Sequence, residues 1–317
     1  MAEETVQSLG GAAGLGAPPT APRRRLGARL REERRWALLF LAPDMLSVLA
    51  FTAFPVIAAV VLSFLDWNLI TDATFVGLDN FREMMGDEAF WRTMGHTVYF
   101  TVGTVPTSMA LALVLALALN RPLRGVTLLR TAYFIPVVAP LISVAMVWRW
   151  LYDRDFGLIN YFFDIVGLPA VGWLTDETWA MPSVIIMSVW KSLGYNLVIY
   201  LAGLQSIPRR LYEAAEMDGA NAWRRFWRVT FPLLTPTTFF VMVVSLISSF
   251  QVFSQVYVMT RGGPGDATTT IVYHIYHVAF ELFRMGYASA LAWMLFAVVF
   301  VLTLVQVRFQ RRWVYYE

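Results

Sequence analysis

Residues 211–232 read LYEAAEMDGANAWRRFWRVTFP and form the longest charged segment between two long apolar runs. Residues 212–217 are mostly strong helix formers, and Pro208 before them suits a helix start. Gly219 predicts a stop, because glycine readily takes the left-handed conformation that closes a helix. Residues 220–229 resume a helical pattern of aromatic and arginine side chains, and Pro232 is predicted to end it. The segment is therefore predicted to be a helix–glycine–helix knob with an apolar and a charged face.

The spacing within this segment resembles the EAA motif of ABC-importer permeases, which has the form EAA-x3-G-x9-I-x-L-P. Residues 213–215 are the EAA triplet, Gly219 follows at the required distance, and the final proline is present. Val229 replaces isoleucine and Phe231 replaces leucine, so both positions remain apolar. The preceding residues 201–208 resemble more narrowly the binding-protein-dependent carbohydrate permeases, the maltose and glycerol-phosphate group.

This resemblance implies an all-α membrane protein with the type I ABC-importer transmembrane fold. It also implies that the knob is a coupling loop, residues 204–232, which docks into a groove of an ATPase subunit. Glu213 would be the polar anchor of that contact, and Gly219 would make the turn. The residues assigned to ATPase coupling are Tyr212, Glu213, Ala214, Ala215, Met217, Asp218, Gly219 and Pro232.

Composition independently indicates a membrane protein. The chain has 317 residues, of which 58% are hydrophobic, whereas soluble domains are nearer 45–50% apolar. It has no cysteine, so disulfides and thiolate metal sites are excluded. With only three histidines, it also has few candidate ligands for a metal ion. It also lacks a Gly-x4-Gly-Lys-Ser/Thr phosphate loop. We expect no cofactor on this chain, with ATP and Mg²⁺ bound by partner ATPase subunits.

Six apolar runs are long enough to cross a bilayer. They comprise residues 36–64, 98–119, 133–151, 181–203, 233–259 and 288–307. Pro136 and Pro140 are predicted to bend the third run. The predicted organisation is a disordered cytosolic tail at 1–35, a transmembrane domain at 36–307 and a short cytosolic tail at 308–317.

The distribution of basic residues predicts the orientation. Both tails, the turn at 120–130 and the coupling loop together carry eighteen bases, whereas the other loops and their edges carry six. The positive-inside rule therefore places both termini and the coupling loop in the cytosol of a bacterial or archaeal cell.

The fourth and fifth runs flank the coupling loop and carry polar side chains suited to a sugar, which binds aromatic faces, amides and hydroxyls. The substrate-binding candidates are Trp190, Lys191, Tyr195, Asn196, Ser245, Ser248, Ser249 and Gln251. The serines fit helix–helix packing equally well. Asn196 and Gln251 are the stronger candidates, because an amide in hydrocarbon demands partners. Lys191 should face a cavity or a partner, binding either an anionic solute or backbone carbonyls.

The resemblance implies that the chain is a non-catalytic permease subunit of a sugar importer. Its partners would be a second homologous permease, as a heterodimer, two ATPase subunits and an extracytoplasmic binding protein; no nucleic acid is expected. The runner-up is a permease for glycerol phosphate or another anionic solute. A secondary transporter would need intramembrane carboxylates, for which Asp44 is the only candidate. An intramembrane enzyme is disfavoured because none of the three histidines lies in a span.

Overall fold

A computed structural model describes residues 23–120 and 125–314, and the extreme termini of the two predicted tails lie outside these ranges. The chain divides into two compact units, Met1–Ile57 and Ala58–Glu317. The helix that contains the first apolar run begins at Arg23, within the predicted disordered tail. At the other end, the predicted tail at 308–317 is helical as far as Trp313.

Most of the described residues are helical. The helices are α1 (Arg23–Val48), α2 (Phe54–Leu62), α3 (Asp79–Gly86), α4 (Glu88–Leu119), α5 (Val126–Val138), α6 (Leu141–Leu151), α7 (Leu158–Ile165), α8 (Glu177–Ser206), α9 (Arg209–Met217), α10 (Ala222–Arg225), α11 (Phe231–Leu233), α12 (Thr235–Phe250), α13 (Ser254–Met259), α14 (Ile271–Tyr276) and α15 (Met285–Trp313). π-Helical turns lie at Leu49–Ala53, Phe226–Thr230 and His277–Glu281. Two short antiparallel strands, β1 (Leu65–Asp66) and β2 (Thr74–Phe75), pair Leu65 with Phe75.

Among the described residues, four helices are long and apolar enough to cross a membrane: Glu33–Leu62, Glu88–Leu119, Glu177–Ser206 and Met285–Arg311. Two helix pairs pass the same test with a bend, which gives six spans if each pair crosses as one. The second span begins at Glu88, so its first turns occupy part of the predicted external loop. The prediction that no histidine lies in a span is therefore wrong for His96. With each bent pair counted as one span, the number agrees with the six predicted from the sequence, but several of the predicted ends lie too far inward.

The third span is broken rather than gently curved. Leu128–Val138 and Leu141–Leu151 meet at 100°. Ala139 and Pro140 at the junction have extended backbone conformations, with ψ of 136° and 132°. Proline has no N–H to donate and disfavours a helical conformation in the residue before it, so the predicted bend at Pro140 is confirmed.

The fifth span ends earlier than predicted. The helix α12 stops at Phe250, and α13 is a separate short helix, so the prediction of one span over 233–259 is wrong for its last residues. The break is stabilised by contacts distant in sequence. Thr270 donates its hydroxyl to the carbonyl of Val252 at 3.1 Å, and the buried Val252 and Val256 join a cluster with α6 and α8. Apolar composition alone does not reveal such a break.

The core of the unit Ala58–Glu317 has three hydrophobic clusters. One lies between α6, α8 and α13, and a second between α3, α4, α14 and α15. The third joins α4, α8 and α12 near the start of α9, around the fully buried Tyr200 and Leu234. The long helices α4 and α8 thus form the centre of the packing.

Gly194 marks the closest approach of α8 to α5. A Cβ at this position would lie 2.1 Å from the carbonyl oxygen of Tyr133 and 2.8 Å from a methyl carbon of Val137. Because the nearer atom belongs to the backbone, a side chain here requires the two helices to separate.

We expect Gly194→Ala to destabilise the protein by about 1–3 kcal/mol, the usual range for overpacking. Gly95→Ala is the matched control, because Gly95 lies in α4 with no atom within 4 Å of the added Cβ. That control should be neutral or slightly stabilising, since alanine favours a helix interior. Thermal unfolding in detergent measures both effects, and equal midpoints for the two variants would contradict the close packing.

Candidate functional site

The first half of the loop between α8 and α12 is the helix α9, which ends in a glycine cap. Gly219 has a φ of 71°. Its N–H donates to the carbonyl of Glu216 at 3.0 Å, and the N–H of Ala220 donates to the carbonyl of Ala215 at 2.9 Å. These are the two bonds of a Schellman motif. The predicted glycine stop is confirmed.

The second half of the loop begins with α10, whose first turn is capped by Asn221. The side-chain oxygen of Asn221 accepts the N–H of Arg224 at 2.9 Å. A π-helical turn follows, in which the N–H of Phe231 reaches back to the carbonyl of Phe226. Pro232 lies in the short helix α11, which ends one residue later at Leu233. The chain then bends by 63° before α12, so the helix end predicted at Pro232 is confirmed to within one residue.

Two contacts hold the halves of the loop together. Arg225 forms an ion pair with Glu216, and the hydroxyls of Tyr212 and Thr230 lie 3.1 Å apart. The ion pair is largely exposed and contributes little to stability by itself, whereas Thr230 is buried. Both contacts bridge α9 and the α10–α11 segment, so they orient one half relative to the other.

A groove of about 780 Å³ lies beside these contacts. Tyr212 and Glu213 line it, together with residues from the ends of α4 and α8. Of the other predicted coupling residues, Ala214, Met217, Asp218 and Gly219 are exposed, and Ala215 and Pro232 are half-buried. Met217 is 85% exposed and Trp223 is 70% exposed, so the loop presents large apolar side chains outward.

A smaller cavity of about 200 Å³ lies between α4, α8 and α12. Leu141 from the start of α6 and Gln255 from α13 complete its wall. Its polar lining consists of Thr104, Ser108, Ser188, Lys191, Ser192, Tyr195, Asn196, Ser245, Ser248, Ser249 and Gln255. The lining is thus rich in hydroxyl groups, with two amides and one ammonium group among the residues that line it.

Six of the eight predicted substrate residues line this cavity: Lys191, Tyr195, Asn196, Ser245, Ser248 and Ser249. Trp190 and Gln251 are not among its lining residues. Trp190 packs edge-on against Trp148, with ring centroids 5.5 Å apart. Gln251 is exposed at the end of α12, because the early end of that helix removes it from the interior. Gln255, one turn further along, supplies an amide to the cavity.

Residues of α4 also line the cavity, although none of them was predicted from the sequence. The buried hydroxyl residues of α4, Thr93, Thr97, Thr101, Thr104 and Ser108, recur at intervals of three or four and therefore lie on one helix face. This periodic stripe was the signal that could have identified them. The stripe ties α4 to its neighbours at three positions.

Three bonds make those ties. Thr97 accepts the N–H of Ile271 at 2.9 Å, Thr101 accepts the hydroxyl of Ser249 at 2.6 Å, and Ser108 accepts the amide of Asn196 at 3.4 Å. The hydroxyl of Thr104 is buried and has no hydrogen-bond partner among the described residues. Buried hydroxyls ordinarily have partners, so this cavity wall retains an unused polar group.

Lys191 supplies the cavity's one ammonium group among the described residues. It donates to the carbonyls of Pro136, Val137 and Ala139, the last two at 3.2 and 2.7 Å. The sequence left two kinds of partner open for Lys191, an anionic solute and backbone carbonyls, and the structure shows backbone carbonyls.

The segments at the end of the helices away from the coupling loop are also ordered by polar contacts. Asp153 accepts the N–H groups of Asp155 and Phe156, and the second of these bonds chiefly lowers the pKa of that carboxyl group. Burial lowers the pKa of His274, which favours the neutral imidazole. Among the described residues, no group of three or more His, Asp or Glu side chains is arranged to hold a metal ion.

Known proteins are similar to this chain in both sequence and fold. The sn-glycerol-3-phosphate transport system permease protein UgpA of Agrobacterium fabrum is 37% identical over 283 residues, which are 88% of this chain and 95% of UgpA. The lactose transport system permease protein LacF of Rhizobium radiobacter is 36% identical over 275 residues, 84% and 91% of the respective chains. The fold also matches a chain in the crystal structure of a bacterial alginate ABC transporter in complex with an alginate-pentasaccharide-bound periplasmic protein. The TM-score is 0.78 and the sequence identity 26%, and the match covers 88% of this chain and 96% of the transporter chain.

Residues 108–315 match the family described as binding-protein-dependent transport system inner membrane component. This match includes the coupling loop and the two helices that it connects, so the resemblance read from the EAA motif is confirmed. The chain belongs to the binding-protein-dependent ABC-transporter permeases and is a multi-pass, all-α membrane protein of that family.

Proposed function

We propose that this chain is a non-catalytic subunit of an ATP-driven importer that moves a sugar or oligosaccharide across the cell membrane. The observation that carries the proposal is the connection between its two candidate sites. The loop with the EAA motif joins α8 to α12, and these two helices supply most of the polar lining of the cavity. A movement of the loop therefore acts directly on the cavity walls.

The loop is built to receive a partner on its outer face. Glu213 is exposed beside the groove, and Met217 and Trp223 add apolar surface. A helix with such a face suits a helix-in-groove contact, with an ATPase subunit as the partner. ATP and Mg²⁺ would be bound by two such subunits, and closure of the ATPase pair would move the loop and re-aim α8 and α12.

The cavity suits a hydroxylated solute. Tyr195 offers an aromatic face, while Asn196, Gln255 and Thr104 offer amide and hydroxyl groups. An amide and a hydroxyl each both donate and accept hydrogen bonds, as sugar hydroxyls do. The solutes named for the relatives, lactose and alginate, support this class.

The remaining partners follow from the family. A second homologous permease would complete the translocation pathway as a heterodimer, and an extracytoplasmic binding protein would deliver the solute. The periplasmic protein in the alginate transporter supports the latter. The excess of arginine in the coupling loop and in both terminal tails supports a cytosolic location for them.

An anionic solute such as glycerol phosphate is the second candidate. It is favoured by the similarity to UgpA and by the presence of Lys191 in the cavity lining. An ion-driven transporter or an intramembrane enzyme has no comparable support.

The role of the coupling loop is tested by Gly219→Val. Gly219 has a positive φ and no atom within 4 Å of an added Cβ, so the substitution strains only the backbone, by about 1 kcal/mol or more. We expect the variant to insert into the membrane but to lose substrate-stimulated ATP hydrolysis in the reconstituted importer.

Gly167→Val is the matched control, because Gly167 has a φ of 73° and equally open surroundings but lies between α7 and α8. This variant should keep its stimulated ATPase activity. Normal stimulation in Gly219→Val, or equal loss in both variants, would contradict the coupling role.

The cavity is tested by Asn196→Leu. One lost hydrogen bond costs on the order of 1 kcal/mol, so transport should weaken roughly fivefold while the protein remains folded, since leucine is similar in size. Gln251→Leu is the control, because Gln251 is exposed outside the cavity. Solute uptake into proteoliposomes measures both. A stronger effect at Gln251 than at Asn196 would place the solute elsewhere.

A further inference from the structure

The broken third span leaves main-chain carbonyls without helical partners. In a continuous helix the carbonyl of Pro136 would accept from residue 140, but that residue is a proline and has no N–H. The helix α5 ends at Val138, and the backbone at Ala139 and Pro140 is extended. The last carbonyls of α5 and the carbonyl of Ala139 therefore need donors from outside the helix.

Lys191 supplies donors to three of these carbonyls. An ammonium group has three donors and no acceptor, and it donates to three carbonyls, those of Pro136, Val137 and Ala139. All three flank the break. A cation is also favoured at the C-terminal end of a helix, where the helix dipole is negative.

The residues around Lys191 hold both halves of the broken span against α8. Gly194 allows α5 to approach until a Cβ would touch the carbonyl of Tyr133. Trp190 packs on Trp148 of α6. The break itself is thus flanked by contacts on either side, and Leu141, directly after it, forms part of the cavity wall.

We infer that Lys191 is a positioning residue whose ammonium group replaces the main-chain donors missing at Pro140 and thereby fixes the wall of the cavity. Because its three hydrogens are donated to the protein, the cavity offers a solute hydroxyl and amide groups rather than a free cation. The importer therefore selects an uncharged, hydroxylated solute over a phosphate. This last step rests on the proposed function, whereas the positioning role does not.

Chemical rescue tests the positioning role directly. The chain has no native cysteine, so Lys191→Cys provides a unique thiol. Alkylation with 2-bromoethylamine converts the cysteine into a close analogue of lysine, and alkylation with iodoacetamide adds a neutral group. Hydrogen exchange of backbone amides in residues 131–145, measured by mass spectrometry on the intact reconstituted importer, reports the state of the break.

We expect exchange in this segment to accelerate at least about tenfold in Lys191→Cys, the change that follows from losing a hydrogen bond to a charged group. Aminoethylation should restore the slow exchange, and the neutral adduct should not. Exchange in α15 should stay unchanged, which separates a local opening from general unfolding. Gln205→Cys, an exposed position on the same helix, is the control for the chemistry. Unchanged exchange in Lys191→Cys, or equal rescue by both adducts, would overturn the assignment.

Transport kinetics with Lys191→Met test the solute class, with radiolabelled lactose and glycerol 3-phosphate as probes. A positioning role predicts that the maximal rate of lactose uptake falls several-fold while its KM stays within about twofold, and that glycerol 3-phosphate is a poor substrate for both proteins. If glycerol 3-phosphate is the better substrate and its KM rises tenfold or more in Lys191→Met, the lysine is an anion ligand and the selectivity inference is wrong. If neither probe is transported by the unmodified protein, the choice of solutes under the proposed function fails, and the exchange experiment still decides the role of Lys191.

Discussion

The structure depends on one constraint, which is that hydrocarbon offers no water to main-chain N–H and C=O groups. Helices satisfy nearly all of these groups internally, so every break in a span requires a specific donor or acceptor. At the break within the third span, after α5, the donor is the ammonium of Lys191, and at the break between α12 and α13, where the fifth span ends, it is the hydroxyl of Thr270. Both breaks adjoin the cavity, since Leu141 and Gln255 follow them and line it.

A small number of specific contacts also links the coupling loop to the cavity. The coupling loop is short and internally braced: a glycine cap closes α9, Arg225 pairs with Glu216, and Tyr212 meets Thr230. A braced segment transmits a displacement instead of absorbing it. Since α8 enters the loop and α12 leaves it, a displacement of the loop under the proposed function would shift two cavity walls relative to α4. Ser249 of α12 and Asn196 of α8 donate hydrogen bonds to Thr101 and Ser108 of α4, and each such bond contributes only about 1 kcal/mol.

Local patterns predicted the features that depend on local chemistry. The EAA spacing identified the family, Gly219 marked the helix stop, and Pro140 marked the break. The remaining features depend on residues distant in sequence. The end of α12 is set by contacts of Val252 with other helices, and these removed Gln251 from the predicted cavity. The partners of Lys191 lie more than fifty residues away. The hydroxyl stripe of α4 is visible in the sequence as a repeat of three or four residues, but only the packing of the helix shows that Thr104 and Ser108 face the cavity.

The central claim is that the loop between α8 and α12 is the surface on which an ATPase acts. Cysteine cross-linking tests it most directly, because the chain has no native cysteine. Met217→Cys and Phe156→Cys provide similarly exposed thiols, at 85% and 82% exposure of the native side chains, one in the coupling loop and one after α6. We expect a short thiol-reactive cross-linker to join position 217, and not position 156, to the ATPase subunit of the assembled importer. Cross-linking from position 156 with none from position 217 would contradict it.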